Sequence, residues 1–393
     1  MARFLSSRHL REGLFALALA LCAIALLVYP TQAVEAAREG LRLCGNVIIP
    51  SLFPFFVLSN FSVEIGLIRH LGRLLEPLMR PLFKVSGICA SAFVLGIIGG
   101  YPVGAKTAIA LYEKRCISKE EAQRLLAFCN NCGPAFIFGV VGAGVFASSK
   151  VGLLLYLVHI LASILVGIIF RMSGGNSISA AHSAVRIEAI SFSAAFTGSI
   201  KAALQSTLNI CAFVLFFTVF VRLMVLSGIL SVFSSLLGTL LIPLGCTEQL
   251  AEKLLIGAIE MSSGVASLSG AAGTLPARLA LSAFVLGWAG LCVHCQVLSF
   301  LGSSGLSARS YLLGKLLHGS ISAAMIALLI RILPLDLQVA SVYAQQIDTM
   351  AGLDFSGALT ASTVTAAIVW CAFAVISLWV MRKGTGNRRR KRV

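Results

Sequence analysis

The sequence predicts an all-α, polytopic membrane protein whose helices are interrupted, and three observations carry that expectation. Of 393 residues, 58% are hydrophobic and 12% charged, about half the charged share of a soluble domain. Apolar runs long enough for a helical span of roughly 20 residues recur from residue 14 to residue 380, whereas the short alternating segments of a membrane β-barrel do not. Several runs carry Gly-Gly, Gly-Pro or paired amides at their middle, which backbone facing lipid does not tolerate.

The net charge of +16 does not point to nucleic acid, because the basic residues gather where they would flank spans on the cytoplasmic side. Arg3, Arg8 and Arg11 precede the first run, and Arg382, Lys383 and the basic stretch 388–392 follow the last. Segment 335–361 holds Asp336, Asp348 and Asp354 without Lys or Arg, so it is expected outside and both termini inside. That arrangement calls for an even number of crossings, about eight to ten. Residues 1–36 have the shape of a secretory signal, but with so many spans following, a retained first helix is the expected reading.

Residues 1–42 then comprise the first helix and a short loop. A first repeat is expected over 43–170. It opens with an apolar segment bearing Pro50 and Pro54, each of which removes a backbone donor. Segment 63–84 spaces leucines between Arg69, Arg73, Arg80 and Lys84, the pattern of an amphipathic helix on the inner membrane surface. Next comes LGIIGGYPVGAKTAIALYEK (95–114), where glycines permit a break and the residue before Pro102 is pushed out of the helical region. Ser118 and Glu121 form a capping box, and the helix they start is expected to end at Asn130-Asn131-Cys132-Gly133-Pro134. A span over 151–170 and a polar linker, 171–200, follow.

A second repeat, 201–334, echoes the plan at an offset of about 160 residues, a spacing that pairs interrupted segments in the manner of transporters built from repeats. IGAIEMSSGVASLSGAAG (256–273) is interrupted at Glu260, and AFVLGWAGLCVHCQVLSFLG (283–302) is the counterpart of AFCNNCGPAFIFGVVG (127–142). An external loop, 335–361, and a last helix with a basic tail, 362–393, complete the chain.

The candidate substrate-binding residues lie at the interruptions. Gly99, Gly100, Tyr101, Pro102 and Gly104 open the first one, and the half-helix that restarts there presents free N–H groups and its positive end. Lys106 adds a charge in the first turn, suited to an anion; the alternative is that it sits near the interface and snorkels outward. Asn130, Asn131, Gly133 and Pro134 form the second interruption, where the amides either face a polar cavity or cap the broken helix. Glu260 is open between a coupling site for a proton or cation and an ion-pair partner of Lys106. His159, alone in an apolar span, reads as a hydrogen-bonded core residue. Gly302-Ser303-Ser304-Gly305 with His318 matches a rhomboid-type GxSG only through small residues, so an enzyme is not expected. The pairs Cys129/Cys132 and Cys292/Cys295 lie far apart in apolar sequence, and neither a metal nor a cofactor is expected.

The stretch GGYPVGAKTAIALYEKRCISKEEAQRLLAFCNNCGPAFIFGVVG (99–142) resembles the sporulation integral membrane proteins of the YlbJ (SpoVV) type, within the nucleoside recognition, or Gate, group. The resemblance implies two Gate-like repeats containing broken or re-entrant helices. It also implies a mother-cell protein of the outer forespore membrane, needed for spore cortex formation and moving dipicolinic acid toward the developing spore. The Gate name implies kinship of fold with nucleoside carriers, not a nucleoside substrate. One departure is Cys132, where the family often has Ser, which argues against a CxxC role. The partners expected are a small organic anion, the lipid bilayer, and a second copy or other sporulation membrane proteins, but no nucleic acid. The readings left beside a carrier of this anion are a non-transporting scaffold for cortex assembly and a carrier of nucleosides or other small solutes.

Overall fold

Helix boundaries fall where the sequence removes a backbone donor or supplies a cap. A computed structural model describes residues 8–65, 67–172, 192–241, 247–302 and 304–332. The regular structure among these residues is helical throughout. Pro30 starts α2 (Pro30–Leu43) in its first turn, where no donor is needed, and the chain bends there by 101° from α1 (Arg8–Val28). A π-helical turn, Cys44–Ile48, leads into α3 (Ile49–Glu64). It leaves Pro50 in the first turn of α3 and only Pro54 in the interior.

Helix α4 (Leu67–Phe83) is the amphipathic helix expected from the arginine spacing: Leu75, Met79 and Phe83 are buried while Arg73 and Arg80 are exposed. Glu76 accepts hydrogen bonds from the Gly87 amide and from Arg80, fixing a bend of 95° into the segment that contains α5 (Ala90–Gly99). After α6 (Val103–Glu113), α7 (Lys119–Phe128) begins with the predicted capping box. The Glu121 amide donates to Ser118 Oγ at 3.2 Å and the Ser118 amide to Glu121 Oε2 at 3.0 Å. A π-helix, Ala135–Val145, and α8 (Ser149–Arg171) close the first half.

The second half consists of α9 (Phe192–Leu226), α10 (Ile229–Leu241), α11 (Glu248–Ile259), α12 (Met261–Ala266), α13 (Leu275–Trp288), α14 (Gly290–Leu301) and α15 (Ala308–Ile332). It has two interruptions of its own, at Glu260 and at Ala289, in the same chain order as those at 100–102 and 129–134. Cys292 and Cys295 lie inside α14, and the interruption before that helix falls at the left-handed Ala289, with φ 80°. Helix α9 already includes residues 192–200, the end of the expected linker. The rest of that linker from residue 173, the external loop and the last helix lie outside the described residues.

Four helical stretches among the described residues are long and apolar enough to cross a membrane, or up to six if each bent pair is one span. Leu153, Leu157, Leu161, Leu165 and Ile169 make an exposed stripe at every fourth residue of α8, the side that meets lipid. Its opposite face, with Leu155, Val158, Ala162 and Val166, is buried. Helix α15 packs on α13 of its own half and on α7 and α8 of the other, so the halves interleave around the breaks.

Candidate functional site

Gly100 allows the first break. It has φ 81° and ψ −172°, a region essentially reserved for glycine, and a Cβ there would stand 2.9 Å from the Gly133 amide nitrogen. The Tyr101–Pro102 peptide is cis. Gly96 and Gly104 close from either side on the carbonyl of Cys129, where a Cβ on either would fall 1.9 Å from that oxygen. The first break is therefore seated directly on the second.

At the second break, Asn131 Nδ2 donates to the Phe128 carbonyl at 3.0 Å, and so does Ser163 Oγ, at 2.8 Å. These bonds satisfy a carbonyl left free by the end of α7. The Ala105 amide donates to Asn130 Oδ1 at 3.4 Å. Asn130 and Asn131 are each 1% exposed and serve the broken backbone, and Pro134 stands at the head of the π-helix. In the other half Glu260 ends α11 and caps α12, accepting from the Ser262 and Ser263 amides at 3.0 and 2.7 Å. Gly290, with φ 80°, sits so close that a Cβ would lie 3.0 Å from the Met261 nitrogen. Each half thus folds one break against its other break.

A cavity of about 110 Å³ lies where the halves meet. Gly99, Gly100, Tyr101, Gly133 and Glu260 line it, together with apolar side chains and the polar Ser262 and Gln296. Pro102, Gly104, Lys106, Asn130, Asn131 and Pro134 are not in its lining. Lys106 points to α9, where it donates to Ser206 Oγ and, at 3.4 Å, to the Ala202 carbonyl, with its ammonium 4.8 Å from the centre of the Phe56 ring. It forms no ion pair with Glu260, whose carboxylate is engaged at α12.

Behind the cavity wall stands a lysine that the sequence reading passed over. Lys315 of α15 has no exposed surface. Its Nζ donates to Tyr101 Oη at 2.8 Å, to the Asn130 carbonyl at 2.8 Å and to His318 Nδ1 at 3.1 Å. The Tyr101 hydroxyl spends its own proton on the Leu286 carbonyl, 2.7 Å away. His318 Nε2 faces the His159 carbonyl at 2.9 Å. A carbonyl only accepts, so Nε2 carries the proton and Nδ1 is free to receive one from Lys315. His159 in turn accepts the Cys132 amide through Nε2 at 2.9 Å. The available signal was a lysine one helical turn before a histidine in an apolar span, since an intramembrane ionisable residue is a functional candidate by default.

His159 is the hydrogen-bonded core residue expected. Ser304 donates to the Leu301 carbonyl at 2.8 Å and accepts the Leu306 amide at 3.2 Å, so its hydroxyl closes a turn while His318 faces Lys315. Cys129, Cys132, Cys292 and Cys295 are free thiols, and no three metal-ligating side chains gather among the described residues.

Residues 47–198 match the family model Gate, described as nucleoside recognition. Over 319 residues the chain is 29% identical to the sporulation integral membrane protein YlbJ of Bacillus subtilis (strain 168), an alignment covering 77% of this chain and 78% of that protein. A solved structure of CNTnw in an outward-facing state overlaps 80% of this chain and 83% of that one, at 14% identity and a TM-score of 0.41, too distant a likeness to bear on the site. The chain is an integral, multi-pass α-helical membrane protein, similar over most of its length to the sporulation proteins of the YlbJ type and matching the Gate family through its first half.

Proposed function

We propose that the protein is a membrane carrier of a small organic anion, and that the cavity between the broken segments is its binding site. The observation that supports this most is the convergence of unwound backbone from both halves on one cavity. Such backbone is tolerated at membrane depth only against protein or a water-filled space, and paired interruptions mark transport sites in repeat-built carriers. The proposed sign of the solute is supported by Lys315 behind the wall and by the engagement of Glu260, the carboxylate in the cavity lining. Both Glu260 oxygens are met by amides of α12, while Lys315 stands one hydroxyl behind the wall at Tyr101. A carboxylate at the Tyr101 side would be attracted through space by that ammonium across the low-dielectric wall.

By resemblance the anion is dipicolinate, carried toward the developing spore in the outer forespore membrane. A second reading, an uncharged solute rich in hydroxyls such as a nucleoside, is favoured by the Glu260 carboxylate and Gln296 amide lining the same cavity. Uptake of labelled dipicolinate and of labelled uridine by proteoliposomes separates the two. Saturable dipicolinate uptake that unlabelled uridine fails to compete, and that Val293→Trp in the cavity wall abolishes, is the expected result. Uridine uptake alone favours the second reading. Uptake of neither, under any ion gradient, overturns both solutes and favours a membrane scaffold for cortex assembly over a carrier of another small solute.

A further inference from the structure

We propose that Lys315 is the binding site of a coupling proton, and that its occupancy decides whether α15 is tied to both breaks of the first half at once. The proton site rests on the geometry of the hub; its use in transport rests on the carrier reading above.

The three neighbours of Lys315 Nζ are all acceptors, and they come from three places: Tyr101 from the first break, the Asn130 carbonyl from the second and His318 from α15 itself. Three acceptors match the three donors of an ammonium. A neutral amine has two N–H bonds and a lone pair, so one of the three contacts becomes lone pair against lone pair. No neighbour can reverse its role to repair this. The Tyr101 proton is held by the Leu286 carbonyl, the His318 Nε2 proton is held by the His159 carbonyl, and the Asn130 oxygen has no proton to give. The hub is complete only with the proton present.

Among the described residues no acidic group compensates the charge. Besides Tyr101, the titratable groups facing Lys315 are Cys129 and Cys132 from the second break, His159 from α8, and His318 from α15. His294 of α14 also faces it, with Tyr311 of α15 beside that histidine. None of these is a carboxylate, and among the described residues no acid stands within ion-pair distance of Lys315. An uncompensated ammonium with no exposed surface is held at a cost, so it is a group able to release its proton. Tyr101 lines the cavity and takes a hydrogen bond from Lys315, which puts the amine one side chain from cavity water. The step is simple: with the hub open, the amine lone pair takes H⁺ from a hydronium ion of the cavity, leaving a water molecule, and the ammonium closes the hub; when the hub next opens, the ammonium returns H⁺ to water as hydronium.

Hydrogen exchange of the full chain in nanodiscs, followed by mass spectrometry across a pH series and corrected for intrinsic exchange, tests the site without requiring transport. The expected result is that peptides covering 99–104 and 129–134 lose protection in a single step as pH rises, by about tenfold for the loss of one hydrogen bond. Lys315→Arg, which keeps its charge at every accessible pH, abolishes the step. Protection independent of pH in the unmodified chain, or the same step in the Arg variant, overturns the proposal. In proteoliposomes an imposed pH gradient drives dipicolinate accumulation by the unmodified chain and not by Lys315→Arg; equal accumulation by both also overturns it. Absence of any uptake by the unmodified chain removes the carrier reading, and the exchange experiment still decides the proton site.

Discussion

Gly100 concentrates the local demands of the first break in one residue. Its φ of 81° and its approach to Gly133 leave no room for a side chain; the break was legible in the Gly-Gly-Tyr-Pro string, and the approach to Gly133 was not. Gly100→Ala is expected to cost about 1–3 kcal/mol from backbone conformation alone, with a further penalty from contact with Gly133. Gly133→Ala, at an ordinary φ and with its Cβ 3.2 Å from Gly100 Cα, should cost less; melting midpoints of the two variants in detergent give the order. At Glu260, Gln leaves one oxygen for two amides, so Glu260→Gln should destabilise by about 1 kcal/mol, the value of a cap. Lys106 is a residue whose chemistry was legible and whose direction was not. It turns toward Ser206 on α9, so Lys106→Gln is expected to lower uptake less than Glu260→Gln does, measured side by side in proteoliposomes.

Among the elements, those that begin with a local signal were the readable ones. Ser118 and Glu121 cap α7 as their spacing dictates, and Ser118→Ala should cost about 1 kcal/mol in a thermal melt without altering the cavity. The arginine-leucine alternation of α4 likewise came out as one buried and one exposed face. The π-helical stretch, Ala135–Val145, was not readable, because apolar residues and glycines suit either ladder and the choice depends on what the turn packs against. The place of the break within 283–302 was not readable for a related reason. Cysteines and a histidine drew attention to 292–295, whereas the break needed only a left-handed residue at Ala289 followed by Gly290.

For the whole molecule, the interleaving of the halves puts the cavity where it is. Helix α15 lies so close on α7 that a Cβ at Gly314 would fall 2.2 Å from the Ala127 carbonyl oxygen. Gly314→Leu should therefore separate the halves, lowering the yield of monodisperse protein on size exclusion, whereas Leu313→Ala on an exposed position of the same helix should not. Composition, spacing and turn chemistry determined the membrane class, the cap of α7 and the breaks near 99–102, 130–134 and Glu260, because each follows from residues a few places apart. Only the tertiary structure decided which polar groups meet. Lys315 reaches Tyr101 across 214 residues of sequence and the Asn130 carbonyl across 185. Contacts at that separation are set by how helices pack against one another, and no local pattern in the chain encodes them.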